Sequence, residues 1–194
     1  MPDTRPSKAQ LRSTLRRRRQ SLSVAEQRTA SLAVTDRVKE LPRWSSAQRI
    51  ALYLAADGEI GTSPLSELAR VNDKQLFLPV IEAGNSMVFA EWLCDQTLLP
   101  NRYGIPEPPA KARRCPVADL EFVFLPLVGW DRQGGRLGMG AGFYDRALSG
   151  AATALLVGLA HTCQEVSHIP REDWDIDLDF IVTDTALYHC QGAK

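Results

Sequence analysis

A chain of 194 residues with 44% apolar and 24% charged side chains has the make-up of an ordinary globular domain and is long enough for a sizeable core. Its 23 basic and 23 acidic side chains cancel, so the chain as a whole is no polyanion binder. No apolar run approaches the roughly 18 residues of a membrane span, and no membrane partner is expected. Cys94, Cys115, Cys163 and Cys190 are scattered without a C-x-x-C pair, and His161, His168 and His189 stand at no metal-ligand spacing to them. Buried or incidental thiols in a reducing compartment are the expectation. The arginines near the start are not followed by an apolar stretch of signal-peptide type, so the cytoplasm is the expected compartment.

The charge balance hides an asymmetry. Residues 1–28 carry Arg5, Lys8, Arg12, Arg16, Arg17, Arg18, Arg19 and Arg28 against Asp3 and Glu26. This arm reads as helix, with Ser7 as a cap and Leu11 and Leu15 recurring at i, i+4. Ser23-Val-Ala-Glu26 has capping-box spacing and opens a second helix, whose apolar positions Leu32, Val34, Val38 and Leu41 run up to a stop at Pro42. Residues 1–41 are thus expected to form a helical segment packed on a single domain that spans 1–194. "RIALYLA" (49–55) is an apolar run of buried-strand type, and Thr62 or Ser63 then caps a helix with Pro64 in its first turn. "QLFLPV" (75–80) predicts a second strand, and "SMVFAEW" (86–92) alternates as a half-exposed third. The loop "NRYGIPEPPA" leads to "EFVFLPLVGW" (121–130), the most apolar strand. A glycine loop, a short helix from Phe143, and two last strands in "ATALLVGLA" and "LDFIVTD" follow. Mostly continuous apolar strands alternating with helices predict an α/β fold: a three-layer, mainly parallel sheet with helices on both faces, preceded by the basic helical segment.

The stretch "GGRLGMGAGFYDRAL" (134–148) carries the chemistry. It follows a strand and enters a helix, the place where open parallel sheets bind ligands. Glycines there let phosphate oxygens approach the main chain. A Walker A loop would need Lys-Ser/Thr after the last glycine, and Gly138-Met-Gly140-Ala-Gly142 has the wrong spacing for a dinucleotide fingerprint. Arg136 inside the loop suits charge-assisted bonds to phosphate, and Asp145 just past it suits the Mg2+ that accompanies a nucleotide. A bare turn is the bland reading, which the arginine and the carboxylate weaken.

"FLPLVGWDRQGGRLGMGAGFYDRAL" resembles the signature of the 5-formyltetrahydrofolate cyclo-ligase (5,10-methenyltetrahydrofolate synthetase) family, roughly P-x-x-x-F-D-x-x-G-x-R-L-G-x-G-x-G-Y-Y-D. Trp130, Ala141 and Phe143 depart from it without removing a phosphate-directed group. "SKAQLR", "LYLAADGEIGT", "YGIPEP" and "DWDIDLDFIVTD" resemble further family segments in the right order, so the likeness covers nearly the whole chain.

The resemblance implies ATP- and Mg2+-dependent conversion of 5-formyltetrahydrofolate to 5,10-methenyltetrahydrofolate, with ADP and phosphate released. The formyl oxygen would be phosphorylated and N10 would attack, with no protein nucleophile. It implies an ATP site of Lys8, Ala9, Gln10, Leu11 and Arg12 with Arg136, Leu137, Gly138, Met139, Gly140, Ala141, Gly142, Phe143 and Tyr144. Lys8 and Arg136 would act electrostatically. Leu54, Glu59 and Tyr103 would contact the folate, together with Met139, Gly140, Ala141, Gly142 and Phe143 at the junction. Asp145 and Asp175 would hold Mg2+. Helix spacing agrees for Lys8 and Arg12, four apart and on one face. Most of Arg16–Arg19 is expected to be a solvated surface. The rivals are another phosphate-ligand enzyme on a related α/β fold (sugar-phosphate isomerase or coenzyme A transferase type) and a nucleic-acid-binding module using the arginines. A monomer that binds 5-formyltetrahydrofolate and ATP, with no nucleic acid, is the expectation.

Overall fold

A computed structural model of the chain describes residues 6–149 and 153–190. Among them lie the α-helices α1 (Lys8–Gln20), α2 (Val24–Val38), α3 (Ser63–Val71) and α4 (Phe143–Leu148). The first two begin where the caps predict. Ser7 Oγ accepts from Gln10 N while Gln10 Oε1 accepts from Ser7 N, and Ser23 and Glu26 repeat the exchange. Each box satisfies two N–H groups that a helix start would otherwise orphan. α2 stops at Val38, short of the expected Leu41, because the chain tightens into turns there with Leu41 N on Val38 O. No helix among the described residues is long and apolar enough to cross a membrane.

The strands in chain order are β1 (Arg49–Ala51), β2 (Gln75–Ile81), β3 (Met87–Glu91), β4 (Leu99–Pro100), β5 (Pro106–Glu107), β6 (Arg114–Cys115), β7 (Phe122–Pro126), β8 (Gly129–Trp130), β9 (Arg136–Leu137), β10 (Leu155–Ala160), β11 (Phe180–Thr183) and β12 (Leu187–His189). Eight of them form one sheet in the order β12-β11-β10-β7-β1-β2-β3-β6. The central run from β11 to β2 is parallel. β12 joins one edge, and β3 and β6 the other, through antiparallel pairings. One face buries Ile50, Leu76, Leu78, Phe122, Phe124 and Val157 under α2 and α3. The other buries Ala51, Phe77, Val123, Leu125 and Ile181 under α4, Trp130 and Tyr188. Each fully buried side chain of this size contributes about 1.5–3 kcal/mol, so the two faces dominate stability. The expected three layers are present, with the second face covered by shorter elements.

Two expected strands are cut short, for local reasons. The 49–55 run ends at Ala51: Leu52 N still bonds Phe77 O, but Tyr53 O is taken by Thr62 Oγ1. The 121–130 run divides. β7 ends at Pro126, since Leu127 O accepts from Arg19 Nη1 and Gln164 Nε2 and Val128 O from Gln164 Nε2. β8 then leaves the sheet and pairs with β9. From β1 the chain moves through α3 to β2 on one side, and it later enters β7 on β1's other side. Neighbouring strands so related open a crevice at their carboxyl ends, the binding position of open α/β sheets.

Candidate active site

The crevice is a cavity of about 1310 Å³ lined by the segments after β1, β2, β7 and β9, by α1 and by residues 172–176. A pocket for one small ligand measures roughly 300–1,000 Å³, so this one has room for two.

Its floor is the glycine loop, and a buried carboxylate seats that loop. Asp131, with no exposed surface, accepts from Gln133 N at 3.0 Å, Gly135 N at 2.9 Å, Ile169 N at 2.8 Å and Arg171 at 3.0 Å. The turn it ties sets Trp130 opposite Arg136 and Gly129 opposite Leu137 in the β8–β9 ribbon. Gly134 sits in this turn at φ 89°, where a Cβ would lie 2.6 Å from Leu178 O. Beyond β9 the chain turns through Gly140 (φ 100°) and Gly142 (φ 66°) into α4. α4 has six residues, so the loop and its charged neighbours, rather than a helix dipole, must do the electrostatic work.

Four charged groups face one another across this floor. Arg136 donates from Nε to Ile176 O at 3.2 Å and from Nη2 to Asp145. Asp145 also accepts from Ile176 N at 3.3 Å. Lys8 Nζ donates to Asp175 Oδ2 at 2.7 Å, and Glu172 N donates to the same oxygen at 3.0 Å. Burial pushes the Asp175 carboxyl up, but the Lys8 and Glu172 hydrogen bonds outweigh it and hold it below the ordinary value. Arg12 Nε donates to Gly138 O at 2.9 Å, which ties α1 to the loop. The two carboxylates supply hard oxygen donors, and the described residues contain no cluster of three or more metal-ligating side chains. That set fits a cation such as Mg2+, which completes its shell with ligand oxygens and water.

The other half of the cavity is built on the 54–59 loop and the 101–107 loop. Glu59 Oε2 accepts from Ala56 N at 3.0 Å; burial raises its carboxyl pKa, against the pull of that N–H and of Arg19. Tyr103 meets Phe143 edge-on at 6.3 Å, bringing the mid-chain loop onto α4. Asn101 Oδ1 accepts from Tyr103 N and Ile105 N, and Glu107 Oε1 accepts from Asn101 Nδ2 and Ile81 N. The β4–β5 pairing closes this loop.

Most of the residues expected at a site converge on this cavity. Lys8, Arg12, Leu54, Glu59, Tyr103, Arg136, Leu137, Gly138, Met139, Gly140, Ala141, Gly142, Phe143, Tyr144, Asp145 and Asp175 all line it. Ala9, Gln10 and Leu11 do not. Helical phase turns Ala9 to solvent, commits Gln10 to the Ser7 cap and buries Leu11 beside Leu15 and Val128. Of Arg16–Arg19, expected to be mostly solvated, Arg17 and Arg18 are exposed and Arg16 is partly so, while Arg19 departs from the expectation. Arg19 has no exposed surface and bonds Leu127 O and Asp57, and Arg16 Nε bonds Asp57 at 2.8 Å. Asp57, Glu107 and Trp174 line the cavity without having been singled out in the sequence. Helix phase alone would have found Arg16 and Arg19, since positions 8, 12, 16 and 19 fall on one stripe.

Residues 4–184 match the 5-formyltetrahydrofolate cyclo-ligase family. The chain is 37% identical over 174 residues to a 5-formyltetrahydrofolate cyclo-ligase of Haemophilus influenzae, covering 87% of this chain and 93% of that one. It is 36% identical over 180 residues to the 5-formyltetrahydrofolate cyclo-ligase of Escherichia coli, covering 90% and 98%. The solved structure of 5,10-methenyltetrahydrofolate synthetase from Aquifex aeolicus superposes with a TM-score of 0.84 at 32% identity, over 96% of this chain and 94% of that one. With the glycine loop, the basic helix and the paired carboxylates gathered at one switch-point cavity, the match extends from sequence to site, and the chain belongs to the 5-formyltetrahydrofolate cyclo-ligase family.

Proposed function

We propose that this protein closes 5-formyltetrahydrofolate to 5,10-methenyltetrahydrofolate at the expense of ATP. The observation that carries the reading is the division of one cavity into two chemically different halves. One presents Lys8, Arg12, Arg136 and the glycine loop, a surface for phosphates. The other presents the sequestered Glu59 carboxylate and the Tyr103 loop, which suits the N–H donors and flat ring of a pterin. The family match and the relatives' names support the folate reaction.

The formyl group is amide-like, a poor electrophile whose oxygen leaves badly. Attack of that oxygen on the terminal phosphorus of ATP forms an O–P bond and releases ADP. N10 then attacks the formyl carbon, the C–O bond breaks with loss of phosphate, and N10 gives up its proton. No side chain need become covalently attached, so the protein's part is alignment and charge. In this reading Lys8 and Arg136 neutralise the transferring phosphoryl group. Gly138 to Gly142 bring main-chain N–H groups against the phosphates, and Arg12 fixes the loop. Asp145 and Asp175 would hold Mg2+, which supplies charge neutralisation between the phosphates. Glu59 orients the pterin, and Leu54, Met139 and Phe143 pack where the two substrates meet. We further infer a single domain acting as a cytoplasmic monomer. Engagement of Arg16 and Arg19 with Asp57 leaves fewer arginines for the nucleic-acid alternative.

The test is spectroscopic. Purified protein mixed with 5-formyltetrahydrofolate and Mg·ATP should develop the near-ultraviolet absorbance of the methenyl product, and omission of ATP should abolish it. Folded protein that binds ATP yet gives a flat trace would leave the phosphate half standing and remove the folate from the other half.

A further inference from the structure

The basic stripe of α1 reaches farther than the phosphate chemistry requires. Lys8, Arg12, Arg16 and Arg19 lie along one face, and the eleven helical steps from the first to the last span about 16 Å. The first two contact Asp175 and the glycine loop. The last two contact Asp57, which lines the same cavity from the 54–59 loop. Asp57 is an unusual residue to find there. Its backbone is left-handed, at φ 52°, and Gly58 follows at φ 76°. Its carboxylate accepts from three side chains of α1: Arg16 Nε at 2.8 Å, Arg19 Nη2 at 2.6 Å and Gln20 Nε2. The Arg16 hydrogen bond leads in holding its carboxyl down, to about 2, so it remains ionised wherever the enzyme would work.

The segment so gripped is the one that carries Glu59. Glu59 N bonds Ala56 O and Glu59 Oε2 accepts from Ala56 N, so residues 56–59 close into a small ring around Asp57 and Gly58. His161 Nε2 meets Gly58 O at 3.1 Å from below. Arg19 Nη1 is also committed to Leu127 O, at the end of β7, and lies 3.9 Å from Glu59 Oε1. The left-handed backbone at Asp57 costs conformational energy that the surrounding contacts must offset, whereas Gly58 takes the same region freely. The three donors on Asp57 do so.

We propose that Asp57 is a positioning residue for the folate half: gripped by Arg16, Arg19 and Gln20, it holds the 56–59 ring so that Glu59 meets the pterin. This rests on the assignment of Glu59 to the folate made above. The hydrogen-bond partners of the Asp57 carboxylate are Arg16, Arg19 and Gln20 rather than Lys8, Arg12 or the glycine loop, so its loss has a defined kinetic signature.

The experiment is steady-state kinetics on Asp57→Ala, Glu59→Gln, the double variant and Arg16→Ala, with both substrates varied. Asp57→Ala should raise KM for 5-formyltetrahydrofolate about tenfold, the size expected for loss of charge-assisted bonds that hold a binding group. KM for ATP should stay within about twofold of wild type. The double variant should match Glu59→Gln alone, because a ring that no longer carries the carboxylate has nothing left to position. Additive effects, or an equal rise in both KM values, would overturn the proposal while leaving the folate site intact. A wild-type folate KM in Glu59→Gln would overturn the folate assignment and the proposal together. Should Asp57→Ala fail to fold, Arg16→Ala decides the matter. Its side chain is 41% exposed and supplies one of the three donors, so the same split should appear at about threefold, and an unchanged folate KM would count against us.

Discussion

Under the proposed function, Arg136 is the single side chain on which the chemistry would concentrate. Its guanidinium is nearly buried, aimed by the β8–β9 ribbon, and shared between Ile176 O and Asp145. Arg136→Ala is expected to lower kcat by about 10²–10³, the usual loss when one donor to a developing anion is removed. Turnover within a few fold of wild type would take the loop out of the phosphate site. Asp145→Asn keeps the shape and removes the charge, so the Mg2+ concentration giving half-maximal rate should rise, and an unchanged Mg2+ titration would assign the metal elsewhere. Asp57 makes a pH prediction. Its folded pKa lies below the ordinary 3.8, at about 2, so the stability it contributes is complete above its unfolded value and is lost as pH falls between the two. The stability gap between wild type and Asp57→Asn, measured by denaturant unfolding, should therefore be constant from neutral pH to about pH 5 and narrow toward pH 2. Of these residues, Arg136 and Asp145 were legible in the sequence because they stand inside a dense local motif. Asp57 was not, since its significance depends on partners about forty residues earlier in the chain.

Among the elements, those whose causes are local were legible. The starts of α1 and α2 follow from capping boxes four residues long, and β2, β7, β10 and β11 from apolar runs bounded by turn residues. The pairs β4–β5 and β8–β9 are two residues long and owe their existence to Glu107, Asn101 and Asp131. Periodicity cannot register elements of that length. The turn of residues 131–135 seats the start of the glycine loop, which Arg12 holds farther along at Gly138 O. Gly134→Ala would combine a disfavoured φ with a clash against the backbone of Leu178, neither of which a side-chain rotation relieves. We expect it to cost about 2 kcal/mol or more in chemical denaturation, and to lower activity in proportion to the loop's misplacement. A neutral result would mean that the loop is seated by something other than this turn.

For the molecule as a whole, an α/β class and a parallel core were legible, whereas the strand order was not. Nothing in the apolar runs says that β7 should settle on the far side of β1 from β2, yet that one choice creates the cavity. The two ion pairs on its floor have a further consequence. Lys8 with Asp175 and Arg136 with Asp145 are already neutral as pairs, so entry of a ligand is an exchange of partners rather than the filling of an open charge. A ligand of one sign can satisfy only half of each pair and strands the other half in a partly dry site. In the proposed reading, a nucleotide arriving with its divalent cation would take up all four groups, its phosphates facing the two cations and its metal the two carboxylates. Thermal unfolding in the presence of Mg·ATP should accordingly shift upward well beyond the shift given by ATP with a chelator or by inorganic phosphate at the same concentration. The crevice would then discriminate against the cell's abundant simple anions through its own internal pairing, refusing those that bring no cation of their own.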